Sequence, residues 1–137
     1  MKAKLYKIHS NKIFKNKKGM IVKFVSKKNF FFKKFGEVYL NYIKKNKKKG
    51  WILHKKNNCL LICCYGNVQF HLINKTGYEQ KISISERSGK ILEIPKNIWF
   101  SFEAKKKDSL ILNLIKLPHS DKETIKKEKI KKYYIKK

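Results

Sequence analysis

The chain has 137 residues, of which 36 are lysine or arginine and 9 are aspartate or glutamate, giving a formal net charge of +27. That length suits one domain with its own core and excludes two ordinary ones. Hydrophobic residues at 42% and aromatics at 13% exclude disorder away from the ends, while the charge points to anionic partners: nucleic acid, an acidic membrane surface or a phosphorylated ligand.

Leu5–Ile8 and Lys12–Lys15 are expected as short strands or extended arms, and Lys17-Lys18-Gly19 as a turn into an apolar strand over Met20–Val25. The triplet Phe30-Phe31-Phe32 precedes Phe35–Ile43, which alternates as a strand does. After a basic turn at Lys44–Lys49, Trp51–His54 and Cys59–Tyr65 are predicted to form a strand pair. Gly66-Asn67 reads as a hairpin-type turn into Val68–Ile73. Further turns lead into Gln80–Ser85, Ile91–Ile94, Ile98–Glu103 and Leu110–Leu117, which Pro118 ends. Asp121–Lys137 is a lysine-rich tail, either a short helix or an exposed last strand, with Tyr133 and Tyr134 docking its end. About ten short strands with turns every 8–12 residues or so predict an all-β sandwich or barrel.

Arg87 is the sole arginine, whereas base readout and bidentate phosphate clamps favour arginine. A lysine-solvated surface is therefore the plainer reading of the charge, with nucleic acid bound only nonspecifically. Cys59, Cys63 and Cys64 share one apolar strand and are read as reduced, buried, small hydrophobes, as suits the cytoplasm. No apolar run approaches the roughly 18 residues of a membrane span, and lysines interrupt Met1–Lys18 where a secretory signal needs an apolar stretch.

His9, His54, His71 and His119 are scattered, with no His-x-His pair, so no metal site is expected. Neither a glycine-rich phosphate loop nor a nucleophile elbow is present. Strand alternation puts Gly50, Ile52 and His54 on one face and Trp51, Leu53 and Lys55 on the other. The first face sets a lone imidazole among small and apolar groups, as a cavity wall does. His71 and His119 are given structural roles. Trp51 and Trp99 are ordinarily core residues, but each flanks a turn and is open to stacking on a ring ligand.

At Gly36-Glu37-Val38-Tyr39, Lys49-Gly50-Trp51-x-x-His54-Lys55, Gly66, Ile94-Pro95-x-x-Ile98-Trp99-x-x-Phe102 and Asn113-Leu114…Asp121-x-Glu123, the chain resembles the cupin family of nucleotide-sugar epimerases and ketoisomerases. The nearest type is the dTDP-4-dehydrorhamnose 3,5-epimerases, with the sugar 3,4-ketoisomerases nearby. The resemblance implies one cupin-like domain over 1–137, with a core of about 18–123 and a basic tail of about 124–137. It implies a double-stranded β-helix, or jelly-roll barrel, that forms a homodimer and holds the sugar nucleotide inside. It also implies chemistry without a cofactor or metal: a base takes a proton beside the 4-keto group and an acid returns one.

Residue by residue, the family's catalytic histidine falls on Ile52, the histidine after the proline turn on Phe100, the enolate-steadying lysine on Cys59 and the acid tyrosine on Asn113. Lys49 keeps the basic residue before Gly50, and His54 matches the second histidine of the ketoisomerases' His-x-His. His54 is thus the expected catalytic base or ligand contact. Lys49 and Lys56 are expected to attract the diphosphate and Trp51 to stack on base or sugar, with Cys59, Trp99 and Asn113 completing the binding set. Alternation puts His54 inside the barrel unless a bulge intervenes, and nearby lysines are expected to depress its pKa. The function implied is action on, or binding of, a dTDP-4-keto-6-deoxy sugar, with the usual catalytic positions substituted. The alternatives are a non-catalytic cupin for sugar nucleotides or acidic glycans, and a basic protein that binds polyanions nonspecifically.

Overall fold

Period-two alternation governs this chain, because each strand has one face to bury against a second sheet. In a computed structural model, which describes residues 3–130, it yields β1 (Lys7–His9), β2 (Phe14–Asn16), β3 (Gly19–Ile21), β4 (Glu37–Ile43), β5 (Lys48–His54), β6 (Cys59–Tyr65), β7 (Asn67–Ile73), β8 (Glu79–Ser85), β9 (Ile91–Ile94), β10 (Trp99–Ala104), β11 (Ser109–Ile115) and β12 (Thr124–Lys126). The described residues contain no helix. One sheet has the order β1-β9-β6-β11-β4, the other β12-β5-β10-β7-β8, and β2 pairs with β3 alone.

The pairing is nested. β7 pairs with β8, β6 with β9, β5 with β10 and β4 with β11, all antiparallel. The chain from β4 to β11 is therefore one long antiparallel ribbon folded over the two sheets, which is the double-stranded β-helix that the resemblance implies. It also corrects two local expectations. β5 and β6 do not pair, since they belong to different sheets. Gly66-Asn67 is a crossing from one sheet to the other and not a hairpin. The hairpin is β7–β8, around Asn74–Gly77.

The core lies between the sheets. Odd positions of one sheet (Cys59, Leu61 and Cys63 of β6; Ile111 and Ile115 of β11) meet even positions of the other (Val68, Phe70 and Leu72 of β7; Phe100 and Phe102 of β10). Each such aliphatic or aromatic side chain contributes about 1.5–3 kcal/mol when fully withdrawn from water.

The outer faces are covered differently. Val22, Phe24, Val25, Phe31 and Phe32 pack over Leu60, Ile62, Ile91 and Leu114, so most of the expected strand Met20–Val25 is an irregular cover and only Gly19–Ile21 is strand. On the other sheet Trp51, Ile73 and Trp99 pack with Leu53, Ile125 and Ile130. β12 resolves the tail as a short strand beside β5; Tyr133 and Tyr134 lie outside the described residues. Cys59 and Cys63 are buried free thiols as expected, but Cys64 points out and is exposed.

Candidate active site

His54 ends β5, and the register sets it opposite Thr124 of β12. Glu123 therefore arrives beside the imidazole. Its Oε2 lies 2.9 Å from His54 Nδ1, while Oε1 accepts from the backbone N–H of Lys56 at 3.1 Å and of Asn57 at 2.9 Å. The two side chains are only 2% and 3% exposed, so each needs a partner inside the protein. Burial pushes the Glu123 carboxyl up, yet the backbone N–H groups of Lys56 and Asn57, followed by His54, outweigh it and hold the carboxyl below its usual range. An ionised carboxylate can only accept, so His54 donates from Nδ1 and its Nε2 keeps the lone pair. No described residue bonds that Nε2.

Burial is also the main reason that the His54 pKa lies below its ordinary value; Glu123 pulls it back up, and His119 lowers it slightly. The expected direction holds, but the expected cause does not, because desolvation rather than a lysine depresses this imidazole. Its ring stacks on Phe100, with centroids 6.1 Å apart and planes at 10°.

A second polar group faces the same interior. Asn113 of β11 stands directly opposite Tyr39 of β4 and donates from Nδ2 to the Tyr39 hydroxyl at 2.7 Å. Cys59 lies against the Asn113 amide, and burial pushes its thiol up to about 12, so it is no nucleophile at neutral pH. Tyr39 opens onto a cavity of about 270 Å³ lined by Glu37, Asn41, Ile52, His119 and Lys126. A larger groove of about 440 Å³ shares Asn41, Ile52 and Lys126 and adds Lys49, Trp51 and Lys127, which gives it a cationic rim.

A bulge shapes that rim. Phe100 pairs with Ile52 but Ser101 pairs with Gly50, so Trp51 is the extra residue on β5. Ile52 and His54 keep the inward face. Beyond the bulge the parity reverses: Lys49, not Gly50, lines up with Phe102, and Lys49 Nζ donates to Asn41 Oδ1 at 2.6 Å. Gly50 has φ +104, and a Cβ there would meet the backbone oxygen of Phe100 at 2.8 Å. Alternation thus gives the right face for His54 and the wrong one for Gly50.

The expected site residues fall into four groups. His54, Cys59 and Asn113 lie in the interior, and Lys49 lies on the rim. Lys56 is exposed and supplies its backbone N–H to Glu123. Trp51 and Trp99 are buried together on the far side of the sheet from His54, and only Trp51 reaches the groove. Lys48 and Lys127 lie over their rings, with Nζ 5.1 Å and 5.5 Å from the centroids. Tyr39 and Glu123 carry motif positions in the sequence but gain a role only through contacts with distant strands. His119, expected to be structural, lines the cavity and donates its backbone N–H to Glu37.

Comparison with known proteins agrees with this architecture. A family model described as "FdtA: WxcM-like, C-terminal" matches residues 1–135. A histidine-to-asparagine mutant of the 3,4-ketoisomerase QdtA from Thermoanaerobacterium thermosaccharolyticum, in complex with TDP-4-keto-6-deoxyglucose, superposes with a TM-score of 0.82 at 21% identity, over 98% of this chain and 94% of that one. A 3,4-ketoisomerase from Helicobacter canadensis gives 0.77 at 22% identity, over 88% and 89% of the two chains. The dTDP-4-dehydrorhamnose 3,5-epimerase of Bacillus anthracis, with TDP and PPi bound, gives 0.80 at 12% identity, over 88% of this chain and 77% of that one. No curated protein sequence matches the chain. The structural likenesses establish the cupin fold, and the family model, spanning nearly the whole sequence, establishes descent: the chain belongs to the WxcM-like family of FdtA.

Proposed function

We propose that the protein is a cofactor-independent 3,4-ketoisomerase acting on a dTDP-4-keto-6-deoxy sugar, with His54 as its base. The observation that carries this reading is the buried His54–Glu123 pair: a neutral imidazole fixed by a carboxylate at Nδ1 and unpartnered at Nε2. A 4-keto group acidifies the hydrogen on C3. A single base can take that proton and return it to C4, because the two carbons are adjacent. Epimerisation at C3 and C5 asks more, since protons must be exchanged at carbons on both sides of the carbonyl. Lys49 and Lys126 on the rim supply the positive field that a nucleoside diphosphate requires, and Trp51 at the groove's edge offers an aromatic wall.

A second reading has its own support. Ile52 and Phe100 fill positions where the resemblance expects histidines, which favours a binding module without turnover. The experiment is incubation with dTDP-4-keto-6-deoxyglucose in deuterated water. The isomerase reading expects a 3-keto product with deuterium at C4 and none at C5, and a loss of at least ~10²-fold in His54→Gln. A sugar that binds but yields no 3-keto product, with or without exchange, sinks the isomerase and leaves the binding module.

A further inference from the structure

Charge is not spread evenly along the chain. Residues 1–36 hold twelve lysines and no acidic residue, and the first carboxylate is Glu37. The same segment forms the two-stranded sheet of β2 and β3, which joins neither main sheet. A hairpin that small is not stable alone, and its inner face gives it support. Ile13 and Val22 both reach Gly89, where a Cβ would lie 2.8 Å from Ile13 Cδ1 and 3.9 Å from Val22 Cγ1. Alternation turns the neighbouring residue of each strand away from the body. These are Phe14 and Ile21, which are cross-strand partners and are 44% and 60% exposed. Lys12 and Lys23 flank them, with Nζ 5.3 Å and 5.2 Å from the Phe14 ring centroid. Among the described residues neither ammonium has a carboxylate partner. Two more cations are fixed nearby. Asn29 Nδ2 donates to Asn11 Oδ1 at 2.8 Å, and Asn11 Nδ2 donates to the Phe24 carbonyl at 2.9 Å. These bonds tie the turn at 26–29 to the foot of β2 and bring the exposed Lys27 and Lys28 with it.

We propose that the outer face of the β2–β3 hairpin docks on an anionic lipid bilayer. Phe14 and Ile21 enter the boundary between headgroups and acyl chains, while Lys12, Lys23, Lys27 and Lys28 meet the lipid phosphates and carboxylates. Charge complementarity calls for an anionic surface, and each lysine close to one strengthens attachment about fivefold. The apolar pair at the centre calls for a surface with hydrocarbon beneath its charge. Lysines suit that depth, because their methylene stems lie along apolar groups while the ammonium stays at the phosphates. Nucleic acid offers phosphates but nothing for Ile21 to enter, and residues 1–36 contain no arginine to clamp them. A second copy of the chain would set the same lysines against these, and like charges oppose that contact. The attachment is peripheral, made by side chains of a hairpin outside both main sheets, so it asks no rearrangement of either.

The test is cosedimentation of the full chain with two kinds of vesicle, phosphatidylcholine alone and phosphatidylcholine with phosphatidylserine in equal parts. The double variant Phe14→Ser with Ile21→Ser keeps every charge and loses the apolar centre. The wild type is expected to bind the mixed vesicles at least ~10-fold more tightly than the neutral ones. The double variant is expected to keep a cooperative thermal transition and to bind the mixed vesicles at least ~10-fold more weakly than the wild type. A wild type that stays in solution with the mixed vesicles overturns the proposal. A double variant that binds them as the wild type does overturns it too, because the lysines then act as counter-charge alone. Duplex DNA titrated against both proteins supplies the third outcome: binding that the two substitutions weaken assigns this face to nucleic acid and overturns the bilayer. Should the double variant fail to fold, Phe14→Trp takes its place. Its added indole emission is expected to shift to the blue on the mixed vesicles, and an unshifted emission overturns the proposal equally.

Discussion

At the scale of single residues, Glu123 decides what His54 can do. By accepting at Nδ1 it fixes the tautomer and leaves the basic nitrogen free. Burial, the larger influence, keeps the folded imidazole's pKa below its ordinary 6.5, so the unfolded chain binds that proton more readily than the folded one. Stability that depends on neutral His54 is complete above pH 6.5 and is lost as pH falls through the lower, folded pKa. Urea midpoints measured against pH should show this loss in the wild type and a flatter profile in His54→Gln. The same titration predicts that kcat/KM rises with pH through an apparent pKa below 6.5 and then levels off, as a base requires; a rate that increases on acidification speaks against His54 in that role. The histidine's inward face was legible from alternation alone. Its partner was not, because Glu123 lies 69 positions away and, in the sequence, is one acid beside a lysine-rich tail.

At the scale of elements, turn chemistry is readable but its destination is not. Gly66 has φ +89, the left-handed conformation that a glycine signals, and a hairpin and a crossing between sheets both use it. Here it turns the chain from β6 to β7, and its amide donates to Glu86 Oε1 at 2.9 Å. A Cβ at this position would collide with the Ser109 hydroxyl. Gly66→Ala is therefore expected to cost about 1–3 kcal/mol through backbone strain alone and more through the collision, read as a lower thermal midpoint; an unchanged midpoint would mean that the crossing relaxes. The bulge at Trp51 was beyond reach for a similar reason. Lys49-Gly50-Trp51 alternates as well as any strand, and only the pairing with β10 reveals the extra residue. Trp51 and Trp99 read as ring platforms, but β12 covers them from the side away from His54, and nothing in so short and basic a segment announced that it would return to β5.

At the scale of the whole molecule, the lysines leave one face bare. Val38, Leu40 and Tyr42 of β4 point outward and are 42%, 56% and 70% exposed, beside Leu110 and Leu112 of β11. A chain carrying +27 repels its own copies everywhere that lysine is dense, so we propose this uncharged face as the contact of the expected homodimer. Leu40→Lys should then sediment as a monomer, and an unaltered species would place the contact elsewhere. The nested ribbon carries a consequence for how the protein forms. Its closed end, β7–β8, joins neighbours in sequence, whereas each pair further out must close a longer loop, up to β4 with β11, and long loops are entropically costly and slow to close. Tyr39, His54 and Glu123 all sit toward the open end, on β4, at the tip of β5 and just before β12. Zipping outward from the hairpin builds the inner strands before the site, so a chain paused one strand short has most of its core but not its imidazole held by the carboxylate. On the proposed reading, competence for the sugar nucleotide is acquired last, and it is the first thing forfeited when the open end frays.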